Sequence, residues 1–143
     1  MRYIIATDGS DSSLKAARFL ARQSCPGAGD EVFVLYVFPL PGDPACYEGV
    51  VELPKDAADD RIRRVAEPIL ERSVAAFGES QATVETVILV GNPAREIVEF
   101  AMNLRVDLIV VGTHGHAPET ELYLGSVSSA VAHRAPCSVL IVR

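Results

Sequence analysis

Residues 107–115 read Asp107-Leu108-Ile109-Val110-Val111-Gly112-Thr113-His114-Gly115. The run is apolar without alternation from Leu108 to Val111, the pattern of a central strand with both faces covered. Glycine follows at once, so the chain turns sharply at the strand's carboxyl end. A strand of this kind belongs in a parallel sheet with helices on both sides. Strand–helix alternation is therefore expected on either side of it.

Upstream, Gly91-Asn92-Pro93 predicts a helix start, with Asn92 as cap and Pro93 at the first helical position. Ala94, Ile97, Val98 and Ala101 then recur at core-facing spacing. Before it, Ala82 to Val90 alternates like a half-exposed strand at a sheet edge. Residues 56–77 form a helical pattern with Ile62, Val65, Ile69 and Leu70 on one side and Asp59, Asp60, Arg63 and Arg64 solvated. Pro68 is expected to kink or break it. Residues 38–55 hold Pro39, Pro41, Gly42, Pro44, Gly49 and Pro54, a loop through which neither helix nor strand runs. Val32 to Val37 and Tyr3 to Ala6 read as strands. Between them lie a helix carrying Leu14, Ala17, Leu20 and Ala21, capped by Ser10 or Asp11, and the turn Pro26–Asp30. Downstream come a short helix, Ser126 to His133, and a last strand, Cys137 to Val142. The expectation is a single α/β domain over residues 1–143: a doubly wound five-stranded parallel sheet with helices on both faces and right-handed crossovers. Such sheets bind ligands beyond the carboxyl ends of the strands, where the strand order reverses.

Composition narrows the function. Hydrophobic residues at 49% against 22% charged give a chain able to bury a core. A formal charge of −6 lacks the basic footprint that nucleic acid or an anionic membrane requires, so neither is expected as a partner. No apolar run approaches a membrane span, and the start, Met1-Arg2-Tyr3-Ile4, does not read as a signal peptide. Cys25, Cys46 and Cys137 have no CxxC spacing, so reduced thiols in a cytoplasmic protein are expected, with Cys137 in the core and Cys46 exposed.

The chemistry concentrates after the fourth strand. Gly112 and Gly115 are followed, after nine residues, by Gly125-Ser126 at a helix start. Glycines let backbone N–H groups approach an anion, and a helix start adds free donors and a positive dipole end. Ser126 and Ser128 can add hydroxyls. Glycine is common in strand-to-helix loops for turn geometry alone, and the full spacing is what favours an anion site. A P-loop is excluded, because the only lysines, Lys15 and Lys55, follow Leu14 and Pro54 rather than glycine. The first strand turn, Asp8-Gly9-Ser10-Asp11-Ser12, lacks the glycines of a dinucleotide fingerprint.

These residues resemble the universal stress proteins of the ATP-binding type. The resemblance runs from Ile4-Ile5-Ala6-Thr7-Asp8-Gly9-Ser10 through Gly91-Asn92-Pro93-Ala94-Arg95-Glu96-Ile97 to Ala135-Pro136-Cys137, and Gly112, Gly115, Gly125 and Ser126 satisfy the family motif G-x2-G-x9-G-[S/T]. It implies strand order 3-2-1-4-5, ATP with Mg²⁺ as cofactor, and a homodimer paired through Ser138 to Val142, whose apolar edge needs cover in any case. It also implies residue roles. Ala6, Thr7 and Asp8 would line the adenine and ribose end, and Val37 would meet adenine. Val111, Gly112, His114 and Gly115 would cover ribose and phosphates, while Gly125, Ser126, Val127 and Ser128 would cradle the phosphates.

The segment His116 to Leu124 departs from the family pattern. Pro118 stiffens it, and Glu119 and Glu121 bring charge that repels a contacting phosphate by roughly 1–4 kcal/mol. The expectation is that both carboxylates face solvent; action through Mg²⁺ and weakened ATP affinity are the alternatives. Asp8 suits a turn as well as a ligand contact. His114 and His116 have no third ligand nearby in sequence, so no metal site is expected. Ser10, Ser12, Ser126, Ser128 and Ser129 read as helix-start caps before modification sites. The function expected is a nucleotide-dependent regulatory or stress-response protein with at most slow ATP hydrolysis. Two readings stay open beside it: a structural dimer with a disabled triphosphate site, and an adenylyl- or phosphoryl-transferring hydrolase using His114 and Asp8.

Overall fold

Four consecutive side chains of the first strand and three of the fourth are buried, and these two strands sit side by side in the middle of the sheet. A computed structural model of the chain describes residues 1–40, 55–115 and 124–143. The elements are β1 (Arg2–Ala6), α1 (Asp11–Gln23), β2 (Glu31–Phe38), α2 (Lys55–Phe77), β3 (Thr83–Val90), α3 (Pro93–Leu104), β4 (Leu108–Gly112), α4 (Ser126–Arg134) and β5 (Ser138–Val142). All pairings are parallel, in the order β3-β2-β1-β4-β5, as expected.

The period-two side-chain alternation sorts the core into two layers. Tyr3, Ile5, Val32, Val34, Tyr36 and Val110 pack under α1 and α2 with Leu20, Ala66, Leu70 and Phe77. Ile4, Ala6, Phe33, Leu35, Val37, Ile109 and Val111 pack under α3 and α4 with Ile97, Ala101 and Val131. Ile4, Ile5, Ile109 and Val110 are fully buried, which is why β1 and β4 read as unbroken apolar runs. β3 alternates because it is an edge strand, with Thr83 and Glu85 exposed.

Register is fixed at the amino ends of the strands. The Arg2 N–H donates to Asp107 Oδ2 at 2.7 Å, the Asp107 N–H donates to Arg2 O at 2.9 Å, and Arg2 Nη1 donates to Leu104 O at 2.8 Å. Asp107 therefore precedes the strand that the sequence reading began there. Ser10 caps α1 and Asn92 caps α3, each side chain accepting from an N–H three residues on, with Pro93 in the first turn of α3.

α2 runs through Pro68 without a break, and one expectation for it, Val65 in the buried stripe, is corrected. The carbonyl left without its intrahelical donor belongs to Arg64, and both residues lie on the exposed side of the helix. Val65 is 40% exposed; the buried stripe is Ala66, Leu70, Ser73 and Phe77, with Ile62 and Ile69 half-buried beside it. Cys137 is corrected too. It lies just before β5 and is only half-buried against the α3/α4 layer, which still pushes its thiol pKa up by desolvation. Most of the proline-rich loop, Cys46 included, and the segment holding His116, Pro118, Glu119 and Glu121 lie outside the described residues.

Candidate functional site

The strand order reverses between β1 and β4, and in parallel sheets of this kind the ligand crevice lies beyond the strand ends at that reversal. The β1–α1 turn is held by its own side chains. Asp8 Oδ1 accepts from the Ser10 N–H at 3.0 Å and from the Ser10 hydroxyl, the sequence-local closure that an Asp-Gly-Ser triplet favours. Gly9 has φ +79°, a left-handed turn position. The Ser10 hydroxyl also lies 3.4 Å from His114 O, joining this turn to the loop after β4.

The glycines of the spacing motif sit where chain meets chain. A Cβ on Gly112 would lie 2.4 Å from Ser12 Oγ, 2.6 Å from Ser12 C and 2.8 Å from Ser13 N. Gly112 thus lets the first turn of α1 rest directly on the end of β4. A Cβ on Gly115 would lie 2.5 Å from Asp8 Oδ2, and one on Gly125 3.0 Å from Thr113 O. The first approach draws the two loops together, and the second folds the β4–α4 loop back on its own start. The Gly125 N–H donates to Thr113 O at 2.7 Å, and the Ser128 hydroxyl faces Thr113 O at 2.9 Å and Gly125 O at 3.0 Å.

Gly125 is the N-cap of α4 and supplies no side-chain cap bond, unlike Ser10 and Asn92. The N–H groups of Ser126, Val127 and Ser128 thus begin the helix without intrahelical acceptors, at the positive end of its dipole. Gly115 and Ser126 are exposed beside them, and His114 is half-buried.

The expected site residues divide by face. Ala6, Val37 and Val111 share the α3/α4 layer, and Asp8 continues that face beyond β1. Val37 is only 7% exposed, so its side chain is core. Thr7 and Gly112 point to the opposite layer. The Thr7 hydroxyl meets Ser13 Oγ at 3.1 Å and Ser73 Oγ at 2.7 Å. Ser13 and Ser73 were not singled out from sequence, although a serine at position 73 of an otherwise apolar stripe was the available signal. Tyr36 lies in the same layer, and its phenol is held above the usual range by burial first and by the Asp8 charge second. Among the described residues no group of three or more His, Cys, Asp or Glu could hold a metal ion, and no helix is long and apolar enough to cross a membrane.

A doubly wound α/β domain with this strand order and an uncapped, glycine-led helix start at its switch point is the class the geometry defines. Compared with known proteins, residues 1–143 match the model of the universal stress protein family, and the chain belongs to that family. Universal stress protein MJ0531 of Methanocaldococcus jannaschii is 37% identical over 147 residues, spanning 99% of this chain and 81% of that protein. Universal stress protein YxiE of Bacillus subtilis is 34% identical over 153 residues, spanning 99% and 98%. Among solved structures, the protein MJ0577 shares the fold with a TM-score of 0.78 at 23% identity, over 99% of this chain and 94% of that one. Two family structures hold a nucleotide. One is a complex with cAMP (TM-score 0.59, 25% identity, 100% and 96% covered), the other an Arabidopsis thaliana protein with AMP bound (TM-score 0.60, 17% identity, 99% and 90% covered).

Proposed function

We propose that this protein binds an adenine nucleotide, ATP with Mg²⁺ in its fullest form, in the crevice beyond β1 and β4, and acts as a cytoplasmic regulatory protein whose partner binding follows nucleotide occupancy. The observation that carries the reading is the uncapped start of α4, set beside the exposed backbone of Gly115 and the Asp8 turn. In this reading the N–H groups of Ser126, Val127 and Ser128 take phosphate oxygens, with Gly112, His114, Gly115 and Gly125 shaping the cradle. Asp8 lines the sugar and base end, and Ala6, Thr7 and Val111 contribute their main chains there, because their side chains are buried. Val37 contributes through its main chain, because its side chain is core. Mg²⁺ is held by phosphate oxygens with few protein ligands, its usual mode beside nucleotides. Any ATP turnover is slow, since Asp8 Oδ1 is engaged by two donors from Ser10. A homodimer through Ser138 to Val142 belongs to the same proposal: β5 is an edge strand, and Val139, Leu140 and Ile141 are only half-buried in one chain.

The test is calorimetric titration with ATP, ADP and AMP, each with and without Mg²⁺, on protein freed of co-purified nucleotide. Gly115→Val is the matched variant. Among the described residues its Cβ meets just the Asp8 carboxylate, and the rest of the side chain adds bulk at the proposed phosphate cradle. Mg²⁺-dependent ATP binding that Gly115→Val weakens tenfold or more supports the reading. Equal affinity in the variant overturns the site, and no heat from any nucleotide overturns the function in favour of a structural dimer.

A further inference from the structure

Three hydroxyl groups lie buried beneath the β1–α1 turn, one from each of three elements: Thr7 after β1, Ser13 in α1 and Ser73 in α2. Ser73 is fully buried, 66 residues from Thr7 in sequence. An unmatched hydroxyl in a core is costly, so such groups persist where they satisfy one another. Here they do. Ser73 Oγ lies 2.7 Å from Thr7 Oγ1 and 2.8 Å from Ile69 O, and the Ser13 hydroxyl donates to Ser10 O at 2.9 Å. Thr7 Oγ1 in turn accepts the Gly9 N–H at 3.1 Å.

α2 reaches the same turn at a second point. Gly9 is so close to the helix that a Cβ would lie 3.1 Å from Ile69 Cγ1. One turn of α2, from Ile69 to Ser73, therefore grips both residues that flank Asp8: Thr7 through its hydroxyl and Gly9 through its backbone. Ser10 then passes the constraint to the Asp8 carboxylate and to His114 O. The path from α2 to the crevice is a series of direct contacts.

We infer that Ser73 is a positioning residue of the nucleotide site, holding the Asp8 turn in place from α2 through Thr7. The inference rests on the proposed nucleotide function, and its test is built so that the two fail separately. Ser73→Ala removes the hydroxyl with little change of shape; Thr7→Val does the same from the other side, and Thr7→Ser keeps the hydroxyl. In nucleotide-free protein, amide exchange at Gly9 and Ser10 should quicken about tenfold in Ser73→Ala and Thr7→Val, with Ile109 and Val110 in the central strand unchanged and Thr7→Ser near wild type. In calorimetry, Ser73→Ala should weaken ATP binding about tenfold, and by less than twofold once Asp8 is already alanine. A general loosening of the fold would weaken binding equally in both backgrounds and would overturn the inference. So would unchanged exchange at Gly9 and Ser10. If the wild-type protein binds no nucleotide, the proposed function fails, and with it the role of Ser73 in binding; the exchange measurement then decides whether Ser73 holds the turn. Should Ser73→Ala fail to fold, the Thr7→Val and Thr7→Ser pair gives the same decision.

Discussion

Replacing Gly112 by alanine separates the structural glycine of the motif from the one that faces the crevice. The added methyl would sit 2.6 Å from Ser12 C and 2.8 Å from Ser13 N, both main-chain atoms, besides 2.4 Å from Ser12 Oγ. A side chain could rotate away; the first turn of α1 cannot withdraw without stretching the buried contact of Ser13 to Thr7. Overpacking against a fixed backbone costs about 1–3 kcal/mol, and the lack of a flexible neighbour puts Gly112→Ala in the upper part, about 2–3 kcal/mol. For a chain of this length that is a fall in Tm of roughly 6–12 °C. Gly115→Ala is the control. Among the described residues its methyl meets just the Asp8 carboxylate, a side-chain end rather than main chain, so its cost should stay under about 1 kcal/mol. Urea unfolding followed by circular dichroism reads both, with unchanged m-values expected. A Gly112→Ala midpoint matching wild type, or a Gly115→Ala protein less stable than Gly112→Ala, would refute the reasoning.

Further outcomes follow from burial and capping. Asn92→Ala should lose the cap bond to the Arg95 N–H and about 1 kcal/mol of stability, read from the urea midpoint. Ile109→Ala empties a fully buried place in the central strand and should cost about 2–5 kcal/mol. On α2, Val65→Lys should change stability by less than about 0.5 kcal/mol, while Ala66→Lys, one residue on, drives a charge into the α1/α2 layer and should abolish cooperative unfolding. Burial raises the Cys137 thiol pKa, so at about pH 8 it holds less thiolate than an ordinary thiol. Exposed Cys25 should alkylate before Cys137, with the gap closing as pH rises through the raised value; mass spectrometry of the two peptides checks it.

The sequence was most legible where one physical cause acts alone. β1 and β4 read as buried because both faces are covered, β3 read as an edge because one flank is bare, and α1 and α3 announced themselves by their caps. α2 was harder. A helix whose buried stripe includes alanine and serine carries a weak hydrophobic signal, so Val65 drew the stripe one position off Ala66. The glycine spacing correctly marked where loops converge, but not what each glycine accommodates. The close neighbour of Gly112 is the start of α1, a hundred residues earlier, and only the folded chain brings it there. Ser73 showed only as a serine in an apolar stripe, and nothing in the sequence named its partner Thr7, which lies across α1 and β2.

β1 is hydrogen-bonded to an early strand, β2, on one side and to a late one, β4, on the other. During synthesis the chain up to Val90 can assemble β3-β2-β1 and its two helices before β4, which begins at Leu108, has been made. Through that interval the flank of Ile4 and Ile5 is an open strand edge of two of the most apolar residues in the protein. Arg2 waits for Asp107, 105 residues later, which at ordinary elongation rates is roughly 5–20 s. A β4 from a neighbouring nascent chain carries the same register code and fits the same slot. The central place of β1, which stabilises the finished domain, thus makes its yield depend on how fast and how densely the chain is translated.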